Sequence, residues 1–340
     1  MRMTDSPLLH VEDLCVDVVI GDTPYRAIDH LSFSVRSGEA MGLVGESGSG
    51  KSLTLRALLG LLPDNAHVTK GSVTLDGVDL LHGDRGGYLD SIRGTGISMV
   101  FQEPAVALNP IATVGEQISD VLQERESLSK SASRQKAIEL LDKVGIVQPE
   151  KRVDSYPFEL SGGMRQRVMI AAAVACHPKV LLCDEPTTAL DVTIQAQIID
   201  LFNTLRAEDN IALLYVTHDL AVVSQICDSI TVLYGGQAME HGGLRQVFNQ
   251  PTHPYTAALL ESTPRLDGPR GRLKTIPGSA PMLTDRGNGC PFAGRCQFAT
   301  DICMTDAFYA LHPTPHPTQQ SACVRVNDQG SVLEEEPVLR

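Results

Sequence analysis

Two stretches between residues 8 and 36 alternate apolar and polar positions. Leu9, Val11, Leu14, Val16 and Val18 do so with one slip, and Leu31, Phe33 and Val35 alternate cleanly with Ser32, Ser34 and Arg36. A period of two puts one face of a strand in a core. With a turn from Gly21 to Pro24, this pattern predicts an antiparallel sheet. Further on, the pattern changes to short, mostly apolar runs. These are Ala40 to Val44, Ile97 to Phe101, Val180 to Cys183, Ile211 to Val216 and Ile230 to Tyr234. Such runs are typical of strands buried on both faces. Asp76-Gly77 marks a hairpin within residues 71–80, and Gly235-Gly236 marks another. Helical periodicity fills the intervals. Leu53 to Leu62 is helix-compatible, Glu116, Ile118, Val121 and Leu122 share a face, and so do Ala137, Ile138, Leu140, Leu141 and Val144. Val168 to Cys176 is nearly all apolar and closes at His177-Pro178, and Val192 to Leu205 is amphipathic. Core strands alternating with helices predict an α/β domain, interrupted by a helical insertion over about residues 105–178.

Composition narrows the function classes. A chain of 340 residues has room for one large domain and a smaller one. The net charge of -13 argues against a generally basic nucleic-acid surface and against attachment to a membrane through a polybasic patch. No apolar run approaches the length of a spanning helix, and the N-terminus lacks a secretory h-region. The expectation is a cytoplasmic protein whose membrane role, if any, needs a partner. Of eight cysteines, Cys15, Cys176, Cys183 and Cys227 stand in apolar or mixed contexts and read as small buried hydrophobes. Cys290, Cys296, Cys303 and Cys323 all fall in the last 51 residues. In a cytoplasmic chain such a cluster points to metal rather than to disulfides.

The candidate chemistry collects where core strands end. Gly45-Glu46-Ser47-Gly48-Ser49-Gly50-Lys51-Ser52, followed by Leu53, matches the phosphate-binding pattern G-x-x-x-x-G-K-[ST], with a strand before it and a helix after it. Glycines let backbone N–H groups turn toward phosphate, and the helix N-terminus favours negative charge. Lys51 can reach the outer phosphates, and the Ser52 hydroxyl can bind Mg2+. Asp184 and Glu185 end a buried strand, where ligands bind in α/β sheets. Asp184 can hold Mg2+, and Glu185 can orient or deprotonate an attacking water. Gln102 leaves another core strand and reads either as a ligand toward phosphate or metal, or as a strand-end cap. His218 falls at the same strand ends as Asp184. Ser161, Gly162 and Gly163 open a helix in a second anion-binding geometry. Tyr25 reads equally as a ring that stacks on adenine and as an ordinary turn tyrosine.

In this order and spacing, the phosphate loop, Gln102, Leu160-Ser161-Gly162-Gly163, Asp184-Glu185 and His218 resemble the nucleotide-binding subunit of an ATP-binding-cassette (ABC) transporter, over about residues 8–260. The resemblance implies a P-loop NTPase of the ABC ATPase fold, with an antiparallel β subdomain, a helical subdomain and a small cysteine-containing C-terminal domain over 261–340. It implies ATP and Mg2+ at Gly45 to Leu53, with Tyr25 on adenine and Gln102 on Mg2+ or water. It also implies Glu185 as catalytic base and His218 at the γ-phosphate. Ser161 to Gly163 would be a signature segment that closes over the nucleotide of the opposite subunit, and Asp191 would lie in the loop crossing that interface. Met164 stands where glutamine is common and Cys183 where an apolar residue is usual; neither removes a required charge or donor. One phosphate loop makes half of a two-site sandwich, so the resemblance implies a second ABC ATPase subunit, often a paralogue. It also implies two transmembrane permease subunits and an extracytoplasmic substrate-binding protein, with the chain peripheral on the cytoplasmic face of the membrane. Soluble ABC ATPases of translation or DNA repair commonly carry duplicated cassettes or very long coiled-coil insertions, and neither occurs here.

A narrower resemblance concerns the solute. Phe101 to Pro104 with Leu108-Asn109-Pro110, Asn249 to Thr256, and a tail running from Ile276-Pro277-Gly278 through Cys290-Pro291-Phe292 to Arg295-Cys296 are similar to the dipeptide/oligopeptide importer branch, which also includes nickel systems. The tail spacing is C-x5-C-x6-C-x19-C, looser than the paired spacing of zinc knuckles. Four thiolates suit either tetrahedral zinc or a cubane iron–sulfur cluster. Resemblance to members of the branch implies [4Fe-4S]; zinc stays the alternative. His312 and His316 read as surface residues, and Glu334 to Glu336 as part of a frayed terminus.

Overall fold

A computed structural model describes residues 6–81, 87–188, 190–263, 275–287, 289–305 and 310–324. Glu334 to Glu336 lie outside the described residues. The contacts divide the chain into two compact units. The first comprises Met1–Leu9, Val35–Ala40 and Leu75–Val216, and the second His10–Ser34, Met41–Thr74 and Thr217–Arg340.

In the first unit three short strands run parallel in the order β6 (Ile97–Val100), β7 (Val180–Asp184), β8 (Ala212–Thr217). Ile97 aligns with Val180 and Val180 with Ala212, so the carboxyl ends of these strands share one edge. All residues of β7 and β8 are buried, as their unbroken apolar runs predict. Helices α4 (Val114–Glu126) and α5 (Lys130–Lys143) follow the helical periodicity, burying Ile118, Leu122, Leu140 and Leu141. Thr113 and Glu116 form a reciprocal capping box at the start of α4, and Ser129 caps α5. Lys136 bridges the pair by an ion pair to Glu126 at 2.6 Å. Next come α7 (Gly162–Val174) and α8 (Val192–Asp209), the latter a turn longer than the sequence pattern indicates.

In the second unit β1 (Leu9–Ile20), β2 (Thr23–Val35) and β4 (Ala66–Leu75) are neighbours in the order β2-β1-β4. The alternating residues Leu31, Phe33 and Val35 are buried. Separately, β3 (Ala40–Val44) pairs in parallel with β9 (Ser229–Tyr234). Strand β9 turns through Gly235 and Gly236, at φ 55° and 82°, into antiparallel β10 (Gln237–Gly243). Two successive left-handed residues are what this hairpin type requires.

Strand β10 slips register between Ala238 and Glu240 and buries Glu240 completely. The Glu240 carboxylate accepts hydrogen bonds from the Thr252 N–H at 2.8 Å, the Thr252 hydroxyl at 2.9 Å, the His253 N–H at 2.9 Å and the Gln319 amide at 2.6 Å. Burial raises its pKa while these donors pull the other way. This one carboxylate fixes the entry to α11 (Pro254–Ser262) and the segment around Gln319. The tail then adds two short strands. β12 (Gln320–Ser321) pairs antiparallel with β10, and β11 (His312–Pro313) pairs with β12. His312 is exposed and His316 half-buried. Among the described residues, no helix is long and apolar enough to cross a membrane.

Candidate nucleotide and cysteine sites

The second unit carries the phosphate loop. β3 delivers it from the core, and α1 (Lys51–Leu58) leaves it, starting at Lys51 rather than at Leu53. Ser52 therefore lies in the first helical turn, and Leu53 follows it. Gly48 and Gly50 are left-handed, at φ 76° and 104°. Gly45 is needed for another reason, since a Cβ there would meet the Leu233 carbonyl oxygen at 2.0 Å. Lys51 is buried, with its ammonium on the Gly45 and Glu46 carbonyls at 2.8 and 2.9 Å. A compact cation is thus held over a loop whose exposed tip is Ser47-Gly48. Ser49 is buried, and its carbonyl accepts the Gly236 N–H at 3.0 Å. Glu46 uses its other groups on side chains far along the chain. Its N–H donates to the Tyr255 hydroxyl at 3.0 Å, and its carboxylate takes a two-pronged bond from Arg295 at 2.7 and 3.2 Å. Tyr25 is half-buried on β2. His218 is exposed, just beyond β8, and Asp219 caps the short helix α9 (Leu220–Ile226).

The first unit carries the carboxylates. Asp184 ends β7 and is 5% exposed. Glu185 follows at φ 44°, a strained backbone for a residue with a side chain. Its N–H is tied to the Val216 carbonyl at 3.0 Å. Its carboxylate accepts the Thr188 hydroxyl at 2.9 Å and a longer contact from the Gln102 amide at 3.5 Å. Gln102 and Glu185, 83 positions apart, are therefore brought together, as adjacent β6 and β7 require. Sequence reasoning missed Thr188, although it sits in the loop flagged between Glu185 and Asp191. Ser161 caps α7 by accepting the Met164 N–H at 3.3 Å, which leaves Gly162 and Gly163 in its first turn. A Cβ on Gly163 would crowd Ile194 at 2.9 Å. Asp191 caps α8 through the Ile194 N–H at 2.9 Å.

The four tail cysteines line one cavity with His253, Phe292 and Phe298. The Cys290 N–H donates to the Cys303 carbonyl at 2.9 Å, and Gly289 packs so close to Cys303 that a Cβ would meet its carbonyl oxygen at 2.5 Å. Cys323 arrives from far along the chain because β12 lies against β10. No disulfide links these cysteines, and burial pushes the Cys290 thiol up to about 12. Such a thiol stays protonated unless a cation replaces its proton. Among the described residues, the one trio of Cys, His, Asp or Glu ligand atoms within 4.8 Å of one another is Asp13, Cys15 and His30, not a set from the tail. A single tetrahedral zinc, about 2.3 Å from each thiolate, would hold its ligands within about 4 Å.

A profile of the ABC transporter family matches residues 28–188, and one described as "Oligopeptide/dipeptide transporter, C-terminal region" matches residues 239–303. The chain is 48% identical over 299 residues to the oligopeptide transport ATP-binding protein OppD of Haemophilus influenzae, covering 88% of this chain and 92% of that protein. It is 46% identical over 299 residues to the dipeptide transport ATP-binding protein DppD of Escherichia coli, covering 88% and 91%. Among solved structures, a dimeric post-hydrolysis state of an ATP-binding cassette bound to ADP and Pi aligns with a TM-score of 0.63 at 29% identity, over 70% of this chain and 99% of that one.

Proposed function

The chain belongs to the family of oligopeptide and dipeptide ABC-transporter ATP-binding subunits, and from that premise we propose that it hydrolyses ATP to energise import of dipeptides or oligopeptides across the cytoplasmic membrane. Residues 8–260 carry the ATPase, and residues 261–340 form the cysteine-bearing extension. The observation that carries the reading is the phosphate loop, with Lys51 turned onto its own carbonyls above a left-handed glycine backbone. Loop N–H groups from Gly48 to Leu53 and the Lys51 ammonium offset phosphate charge, and Tyr25 stacks on adenine. Glu185, held by Thr188, takes the proton of the attacking water. Gln102 senses the same water, and His218 touches the γ-phosphate. Ser161 to Gly163 close over the nucleotide of a second ABC ATPase subunit, a paralogue of this chain.

The oxygen donors Ser52, Gln102 and Asp184 suit Mg2+, which supplies charge neutralisation of the phosphates when bound. Cys290, Cys296, Cys303 and Cys323 hold a [4Fe-4S] cluster that organises the tail. Two permease subunits on the cytoplasmic face and an extracytoplasmic peptide-binding protein complete the assembly. Purification of the chain from membranes tests this. The expected result is a complex with hydrophobic permeases whose ATPase rises with peptide-loaded binding protein; a complex without them contradicts the transport reading. Iron and sulfide analysis of anaerobically prepared protein tests the cluster, with about four of each per chain expected and zinc alone contradicting it.

A further inference from the structure

Two arginines of the tail reach the phosphate loop within the second unit. Arg295 is 9% exposed at its side chain and forks onto the Glu46 carboxylate at 2.7 and 3.2 Å. Its remaining donors are taken by the Tyr234 hydroxyl at 3.1 Å and by the Pro277 and Ile276 carbonyls at 2.8 and 3.3 Å. The guanidinium also lies over the rings of Tyr234 and Phe292, at 5.7 and 6.0 Å. Arg286 donates to the Gly48 carbonyl at 3.1 Å, on the far side of the loop, and to the Ala27 carbonyl at 3.2 Å. The Tyr255 hydroxyl receives the Glu46 N–H, so the loop is held from the tail and from α11 together.

These contacts fall on the Glu46 N–H and carboxylate and on the Gly48 carbonyl. None uses the N–H groups of Gly50, Lys51 or Ser52 that open the helix. The hairpin glycines make room: a Cβ on Gly235 would meet Pro291 of the tail at 2.8 Å, and one on Gly236 would meet the Ala27 carbonyl oxygen, which Arg286 also contacts, at 2.2 Å.

We propose that the cysteine-bearing tail clamps the phosphate loop, with Arg295 and Arg286 acting as positioning residues that preset the loop for nucleotide. The inference rests on the ATP-binding reading of Gly45 to Ser52. A loop fixed before binding loses less conformational freedom when the phosphates arrive, so the clamp acts on affinity rather than on the chemical step. The bidentate geometry makes arginine specific here, because lysine offers a point charge without the fork.

The experiment measures the equilibrium affinity for ATP in the full chain, and kcat and KM for hydrolysis in the assembled complex, for the unaltered protein and for Arg295→Ala, Arg295→Lys, Glu46→Gln and the Arg295→Ala/Glu46→Gln pair. Arg295→Ala is expected to weaken ATP binding and raise KM about tenfold, with kcat within twofold. Glu46→Gln, whose side chain lies outside the tail, reports on the same contact if Arg295→Ala perturbs tail folding. The double variant should be no worse than the weaker single one, and Arg295→Lys should recover only part of the loss. Unchanged affinity in both Arg295→Ala and Glu46→Gln, additive losses in the pair, or a fall in kcat at constant KM each overturn the clamp. If the unaltered chain binds no ATP, the reading of the loop itself fails, which is a separate outcome.

Discussion

Glu185 shows how much of the chemistry depends on single side chains. It sits at φ 44°, with its carboxylate on the Thr188 hydroxyl at 2.9 Å. A strained backbone next to a buried aspartate is the kind of arrangement kept at functional positions. On the proposed role of Glu185 as base, Glu185→Gln keeps the shape and removes the proton acceptor, so it should lower kcat by about 10²- to 10⁴-fold while ATP binding persists. Single-turnover hydrolysis alongside a binding titration measures both. Thr188→Ala keeps the Glu185 carboxylate but removes the hydroxyl hydrogen bond that orients it, so a smaller fall in kcat, about tenfold, is expected in the same assay. At Gly45 the constraint is steric. The Leu233 carbonyl lies 2.0 Å from where a Cβ would stand, and β3 cannot move away from β9 without breaking their pairing. Gly45→Ala should cost at least about 2 kcal/mol in chemical denaturation and remove nucleotide binding.

The core strands were legible in the sequence because their signal is local. Ala40 to Val44 and Val180 to Cys183 are continuous apolar runs, and the strands they form are buried throughout. The cap at Ser161 was legible for the same reason, as it contacts an N–H three residues on; Asp191, read only as a loop residue, caps α8 in the same way. The motif residues followed, since fixed spacing on a strand end fixes their direction. The clamp had no such signal. Arg295 and Glu46 are 249 positions apart, and an ion pair has no period along a chain. Glu240 was hidden too, because only the register shift in β10 turns it inward. The whole element α11 hangs on that carboxylate. Glu240→Ala would leave the Thr252 and His253 N–H groups and the Gln319 amide without their buried acceptor, at a cost of about 3 kcal/mol. Hydrogen exchange should locate the loss in residues 250–262 and around Gln319, with α4 and α5 unaffected.

At the scale of the second unit, the tail packs onto the phosphate loop, through Arg295 on Glu46 and Arg286 on the Gly48 carbonyl. Cys296 adjoins Arg295, and Phe292 packs edge-on against Tyr234 at 5.3 Å. The cysteine segment is therefore continuous with the residue that grips Glu46. Replacing Cys290 and Cys296 by serine should weaken ATP binding several-fold in the otherwise unaltered chain and leave Arg295→Ala, already unclamped, nearly unchanged; a fluorescent-nucleotide titration with Mg2+ present reads this. The central claim concerns work done on a solute in another compartment, and it is tested most directly by uptake of a labelled oligopeptide into vesicles holding the reconstituted complex and its binding protein. With ATP supplied on the side of this chain, uptake above the external concentration is predicted, falling to background with Glu185→Gln. Uptake that persists in Glu185→Gln, or a complex that hydrolyses ATP and moves no peptide, would contradict the account.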